Sequence, residues 1–203
     1  MAVTAVIDYG AGNLHSVKNA LDFLKSPNII TDDREIILNA DRVILPGVGA
    51  FGDAMAALKK NGLDKVVKEV AKSGKPLLGI CLGLQLMFEE SEENPGVEGL
   101  GLFKGKIVRI PQKENLKIPH MGWNDIDIVT ESKILKDLGK NPYVYFVHSY
   151  YLQAENEKDV SAYTDYGERL GIAVERENVF ATQFHPEKSG KTGMKILKNF
   201  VCL

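Results

Sequence analysis

The apolar and polar positions fall into two regimes along the chain. Ala2–Asp8 forms an apolar strand pattern, followed by a glycine-rich turn at Tyr9–Asn13. Leu14, Val17, Leu21 and Leu24 then recur at helical spacing, and Ser26–Pro27 closes that helix. Asn28–Thr31 begins a second strand, and Arg42–Leu45 is a third that stops at Pro46. Helical periodicity follows over Asp53–Lys60 and Leu63–Lys72, then a fourth strand at Pro76–Ile80 and a helix over Leu82–Glu90. Continuously apolar strands separated by helices predict a parallel sheet covered on both faces.

Beyond about residue 100 the helices thin out. Lys106–Ile110, Asn124–Val129, Tyr143–Leu152 and Val160–Asp165 have strand character, and Ile172–Arg176 with Val179–His185 predicts a hairpin across Glu177–Asn178. A last helix, Gly190–Val201, starts after Ser189, a residue suited to capping. No linker, repeat or low-complexity stretch interrupts the chain. The expectation is one α/β domain over residues 1–203, with a mostly parallel central sheet, flanking helices and an antiparallel extension.

Composition narrows the function by exclusion. With 203 residues and a formal net charge of −2, the chain has no basic field for nucleic acid or an anionic membrane. No apolar run approaches the roughly 20 residues of a membrane span, so the expected compartment is the cytoplasm. Cys81 and Cys202 are the two cysteines. Two thiols in a chain of this length are no disulfide framework, and without a Cys/His cluster neither zinc nor another metal is expected.

Chemistry concentrates around Cys81. Gly79-Ile80-Cys81-Leu82-Gly83 lies between an apolar strand and an amphipathic helix. This is the Gly-x-nucleophile-x-Gly elbow with cysteine as nucleophile. The glycines allow a tight turn with close backbone contact. The start of a helix favours a thiolate, which matters because a free thiol near pKa ~8.5 is mostly protonated at neutral pH. A lone cysteine is most often a small buried core residue; the elbow context reverses that for Cys81 and leaves it standing for Cys202.

A thiol nucleophile needs a base and a group to orient it. In Thr182-Gln183-Phe184-His185-Pro186-Glu187, His185 and Glu187 are two apart in an extended segment and so share a face. A carboxylate on one imidazole nitrogen fixes the tautomer, as the third member of a triad does. Alone, His-x-Glu is more often a surface ion pair. The turn Ile44-Leu45-Pro46-Gly47-Val48-Gly49 offers backbone N–H groups that, with that of Leu82, suit a developing oxyanion. An ordinary strand-to-helix turn explains it equally well.

Together, Gly79–Gln85 and Phe184–Glu187 resemble the class I (triad) glutamine amidotransferases. Ile7–Asn13, Pro46–Gly52, Pro119–Asn124 and Phe146–Tyr150 further resemble one branch of that family, the glutaminase subunits of imidazole glycerol phosphate synthases of histidine biosynthesis. The match runs end to end, with no departure at a triad position. The resemblance implies a flavodoxin-like sheet and hydrolysis of glutamine to glutamate and ammonia through a cysteinyl thioester. It implies Cys81, His185 and Glu187 as the catalytic set, with Gly47, Val48, Gly49, Leu82, Gln85, Ser149 and Tyr150 about the substrate and no cofactor. It also implies a partner: a cyclase subunit, a (β/α)8 barrel, that forms a heterodimer with this chain and takes its ammonia to make imidazole glycerol phosphate. Asn13, Trp123, Tyr145 and Lys188 match positions facing that partner, although tryptophan is also a common core residue.

Other features point nowhere. The Gly-x-Gly of Gly10–Gly12 lacks the third glycine of a dinucleotide site, since His15 stands there, and NAD binding is rejected. Glu89, Glu90, Glu92 and Glu93 fit a solvated helix end. His15 fits a structural role, and His120 and His148 fit either binding or packing. Rival functions are the glutaminase subunit of pyridoxal phosphate or anthranilate synthesis, a free-standing cysteine hydrolase, and a non-catalytic binding module.

Overall fold

The computed structural model describes residues 2–203. In chain order the first half comprises β1 (Thr4–Ile7), α1 (Leu14–Phe23), β2 (Asn28–Thr31), α2 (Arg34–Asn39), β3 (Arg42–Leu45), α3 (Phe51–Lys60), α4 (Leu63–Lys72), β4 (Leu77–Ile80) and α5 (Leu82–Leu86). The second half comprises β5 (Glu90–Ser91), β6 (Gly105–Arg109), β7 (His120–Asp125), β8 (Asp127–Ile128), β9 (Tyr143–His148), β10 (Tyr150–Ala154), β11 (Val160–Asp165), β12 (Arg169–Arg176), β13 (Val179–Thr182) and α6 (Gly190–Val201).

One sheet has the order β2-β1-β3-β4-β13-β12-β10-β6-β5, with β11 and β8 attached beside β12. From β2 to β13 every pairing is parallel; beyond β13 the pairings with β12, β10 and β6 are antiparallel. Alternation along the parallel strands feeds two separate cores. Ala5, Ile7, Val43, Leu45 and Leu77 pack with α2, α3 and α4, whereas Val6, Ile44, Leu78 and Ile80 pack with α1 and α6. Burial on both faces is why these strands are apolar throughout. β7 and β9 form their own antiparallel ribbon, Trp123 opposite Tyr145.

Several expectations are corrected. The helix α2 was not anticipated; the Asp33 side chain caps it by accepting from the Glu35 and Ile36 N–H groups. The helix after Cys81 is five residues rather than Leu82–Glu90. Its carbonyls are taken by a returning segment, with Leu100 N–H donating to Leu86 and Phe103 N–H to Met87. The acidic run is therefore no helix end. Glu89, Glu92 and Glu93 accept from the N–H groups of Gly105, Arg109 and Phe51, tying β5 to β6 and capping α3. Tyr143–Leu152 is two strands broken at Ser149, because its halves pair with different partners, β7 and β6. Likewise Asn124–Val129 is split between β7 and β8. The Ser189 hydroxyl does not cap α6; it donates to the His185 carbonyl and accepts from the Tyr145 N–H.

Candidate active site

Parallel pairing of β4 with β13, Ile80 beside Thr182, sends both chains out of the same end of the sheet. The Cys81 N–H donates to the Thr182 carbonyl at 2.7 Å, so the residues after Thr182 emerge next to the nucleophile turn. Cys81 takes φ 55° and ψ −109°, a left-handed conformation rare for a residue with a side chain. The flanking glycines make room for it. A Cβ on Gly79 would sit 2.9 Å from the Gly83 carbonyl oxygen, and one on Gly83 would overlap the Leu45 carbonyl oxygen. The elbow is thus clamped between β3 and β4, with the sulfur in a cavity of about 400 Å³.

His185 lines the same cavity. Its Nδ1 donates to Glu187 Oε1 at 2.8 Å, with both side chains almost wholly buried. The pair forms for a different reason from strand alternation: Pro186–Lys188 is a single 3₁₀ turn that brings residue 187 back against the imidazole. With Nδ1 committed to the carboxylate, Nε2 is left without a partner among the described residues. Burial disfavours the imidazolium, but the adjacent Cys81 sulfur and the Glu187 carboxylate outweigh it and push His185 up to about 10.

The other predicted substrate residues divide. Val48, Gly49, Leu82, Gln85, Ser149 and Tyr150 all line the cavity, and Gly49 has φ 97°, a conformation glycine adopts freely. Gly47 lies beneath instead. A Cβ there would be 2.7 Å from the Tyr9 hydroxyl and 2.8 Å from Leu82 Cβ. Gly47 sets how closely the segment after β3 approaches the elbow and does not itself line the cavity.

Four cavity residues carried no site assignment from the sequence: Glu93, Pro119, Val147 and His148. His148 Nδ1 donates to the Tyr150 carbonyl at 2.9 Å, which leaves its Nε2 to accept from His120 Nδ1 at 3.0 Å. His120 stacks on Phe146 and Tyr166, with centroids 4.6 and 3.9 Å away. Burial lowers His148 to about 3 and His120 to about 4, so both are neutral hydrogen-bonding groups that brace the cavity wall. Gln183 was also missed, although it stands just beyond β13 and two residues before His185, a spacing present in the sequence. Tyr9, buried under Gly47, has a hydroxyl with no hydrogen-bond partner among the described residues.

Of the predicted partner-facing residues, Trp123 is 55% exposed and meets Tyr145 edge-on at 6.1 Å. Met121, two residues before it on β7, is 62% exposed. Lys188 is exposed in the turn after His185, and Asn13 stands at the start of α1, accepting from the Ser16 hydroxyl. No helix among the described residues is long and apolar enough to cross a membrane.

A thiol at a strained elbow and a buried His–Glu pair meet in one cavity at the end of parallel strands, an arrangement of the α/β class that suits nucleophilic chemistry by a cysteine. The sequence model for class-I glutamine amidotransferases matches residues 5–203. The chain is 50% identical to the imidazole glycerol phosphate synthase subunit HisH of Methanothermobacter thermautotrophicus, over 97% of this chain and 96% of that protein. Against the HisH subunit of Bacillus cereus identity is 52%, over 97% and 92% of the two chains. The chain belongs to the class-I glutamine amidotransferase family, in the branch formed by the HisH subunits of imidazole glycerol phosphate synthase. Solved structures agree on the fold: PurLQS from Thermotoga maritima superposes with a TM-score of 0.74 at 19% identity, covering 99% of this chain and 98% of that one. The crystal structure of another protein, a glutamine amidotransferase, gives a TM-score of 0.75 at 20% identity, covering 97% of this chain and 96% of that one.

Proposed function

We propose that this chain is the glutaminase of an imidazole glycerol phosphate synthase, with Cys81, His185 and Glu187 as its catalytic triad. Cys81 attacks the side-chain amide carbon of glutamine while its proton passes to His185 and on to the departing ammonia, leaving a glutamyl thioester. His185 then takes a proton from water as the oxygen bonds to the acyl carbon, and the C–S bond breaks as His185 returns that proton to the sulfur, releasing glutamate and restoring Cys81. Glu187 keeps the imidazole in the tautomer whose Nε2 faces the cavity. Backbone N–H groups of Val48, Gly49 and Leu82 hold the oxygen as its charge develops. Gln85, Ser149 and Tyr150 hold the substrate.

The ammonia passes to a cyclase subunit, a (β/α)8 barrel paired with this chain as a heterodimer, which makes imidazole glycerol phosphate. Met121, Trp123 and Tyr143 expose an apolar face on the β7–β9 ribbon, which together with Asn13, Tyr145 and Lys188 is the docking surface for that subunit. Docking there reorganises the Pro46–Gly49 segment into a working oxyanion site.

The observation that carries this reading is the shared cavity of Cys81 and His185, in a chain half identical to HisH subunits. The test is glutamate release by the chain alone and with a cyclase barrel plus its nucleotide ligand, with Cys81→Ala as the blank. Release that rises sharply in the liganded complex and vanishes in the variant supports the reading. Strong release without any barrel refutes the partner assignment, and undiminished release by Cys81→Ala refutes the triad.

A further inference from the structure

We propose that Gln183 is a further catalytic residue, whose side-chain amide donates a hydrogen bond to the Cys81 sulfur and steadies its negative charge for attack. This rests on Cys81 being the nucleophile.

Three observations carry it. Gln183 is wholly buried at 0% exposure, immediately after the β13 residue that pairs with Ile80, so it lies beside Cys81. Its Nε2 is 3.6 Å from Cys81 Sγ, within reach of an N–H···S bond. The orientation of its amide is dictated by neighbours. Gln85 Nε2 is directed at the Tyr150 carbonyl, 3.5 Å away, and donates to Gln183 Oε1 at 3.1 Å. A carbonyl oxygen can only accept, so it fixes the Gln85 amide; that amide in turn fixes the oxygen of Gln183 and leaves Gln183 Nε2 for the sulfur. Turning Gln183 over would set two N–H donors against each other and an oxygen against a sulfur.

A purely structural amide would need a partner for each end, and a neutral thiol is a weak acceptor. An N–H aimed at sulfur becomes a strong contact when the sulfur is ionised. The short α5 makes this more important: five residues align few peptide dipoles behind Cys81. Gln183 supplies a donor from outside the helix. It has a second effect, because the same amide joins the sulfur to Gln85 on the substrate side of the cavity.

The ionisable groups around Cys81 come from several elements. His185 and Glu187 lie in the turn after β13, Tyr9 follows β1, Glu93 follows β5, and His148 ends β9. None of these is altered by substituting Gln183; leucine removes both the donor to Cys81 and the acceptor for Gln85, and glutamate removes the donor while keeping the acceptor.

The experiment is the pH dependence of iodoacetamide alkylation of the full chain, followed on the Cys81 peptide by mass spectrometry. Exposed Cys202 serves as the internal reference. In Gln183→Leu the pH of half-maximal Cys81 alkylation moves up by about one unit, so alkylation at lower pH slows about tenfold. Gln183→Glu keeps the acceptor for Gln85 but turns a carboxylate toward the sulfur, and slows Cys81 at least as much. The Cys202 rate stays constant in both. An unchanged Cys81 profile in folded Gln183→Leu overturns the proposal, and Gln183→Glu decides it by the same criterion if the leucine variant does not fold. Loss of glutaminase in Cys81→Ala alongside an unchanged Gln183→Leu profile sinks the role of Gln183 and leaves the triad standing. Full glutaminase in Cys81→Ala sinks both.

Discussion

The packing of Tyr9 on Gly47 yields a prediction in which one substitution stabilises and another is rescued by it. The Tyr9 side chain is buried under the Pro46–Gly49 segment, and its hydroxyl has no hydrogen-bond partner among the described residues. An unsatisfied buried hydroxyl costs about 1–3 kcal/mol, and removing it leaves the apolar contacts of the ring in place. Tyr9→Phe is therefore expected to raise stability by about 1 kcal/mol, or about 2–4 °C in Tm for a chain of this size. Gly47→Ala does the reverse: its Cβ would lie 2.7 Å from the Tyr9 hydroxyl, 2.8 Å from Leu82 Cβ and 3.0 Å from the Gly83 nitrogen. Overpacking of that kind costs about 1–3 kcal/mol. In the double variant the nearest of the three contacts is gone, so the two substitutions are non-additive by about 1 kcal/mol. Urea unfolding of the four proteins measures every term. A Tyr9→Phe chain less stable than the parent by more than about 1 kcal/mol would mean that the hydroxyl is bonded after all. Strict additivity would refute the contact with Gly47. Because Gly47 leads into Val48 and Gly49, Gly47→Ala is also expected to lower glutaminase activity beyond its effect on stability.

Other expectations follow from the same geometry. Glu187→Gln keeps the size of the side chain but removes its charge from His185, and glutamine hydrolysis in the complex falls by about 10²–10⁴ in kcat; steady-state assay at saturating glutamine checks this. His120 and His148 are held well below their ordinary value, so the unfolded chain binds protons that the folded one refuses. Their contribution is complete above about pH 6.5 and is lost as pH falls through about 4 and about 3, which urea midpoints across that range record. His185 is raised, so its contribution has the opposite sign: complete below about pH 6.5 and lost as pH rises through about 10. Stability that did not fall on the acid side would contradict the buried neutral pair. Trp123→Ala removes a half-exposed ring, leaving Tm within about 2 °C while weakening binding to a cyclase barrel by tenfold or more; calorimetry distinguishes that from unchanged affinity.

Much of this protein was legible in its sequence because the signals were local. Apolar runs such as Val43–Leu45 and Leu77–Ile80 form strands wherever both faces are buried, and β2, β3, α4, β11 and α6 stand where the pattern put them. The elbow was equally local, since only glycine at 79 and 83 lets the backbone pass so near Cys81. What tertiary structure alone decided were matters of partnership. Nothing between Leu82 and Glu90 stops a helix; it ends at Leu86 because residues from Leu100 to Phe103 take its carbonyls. The strand-like run Tyr143–Leu152 breaks at Ser149 because its first half pairs with β7 and its second with β6. His185 and Glu187 were paired correctly for the wrong reason, as a 3₁₀ turn rather than strand alternation joins them. The amide of Gln183 acquires its direction only when Gln85 and Tyr150, distant in sequence, close around it. Sequence determines which backbone shapes and which chemistry are available; hydrogen-bond partners far along the chain decide where each element stops and which way each buried polar group points.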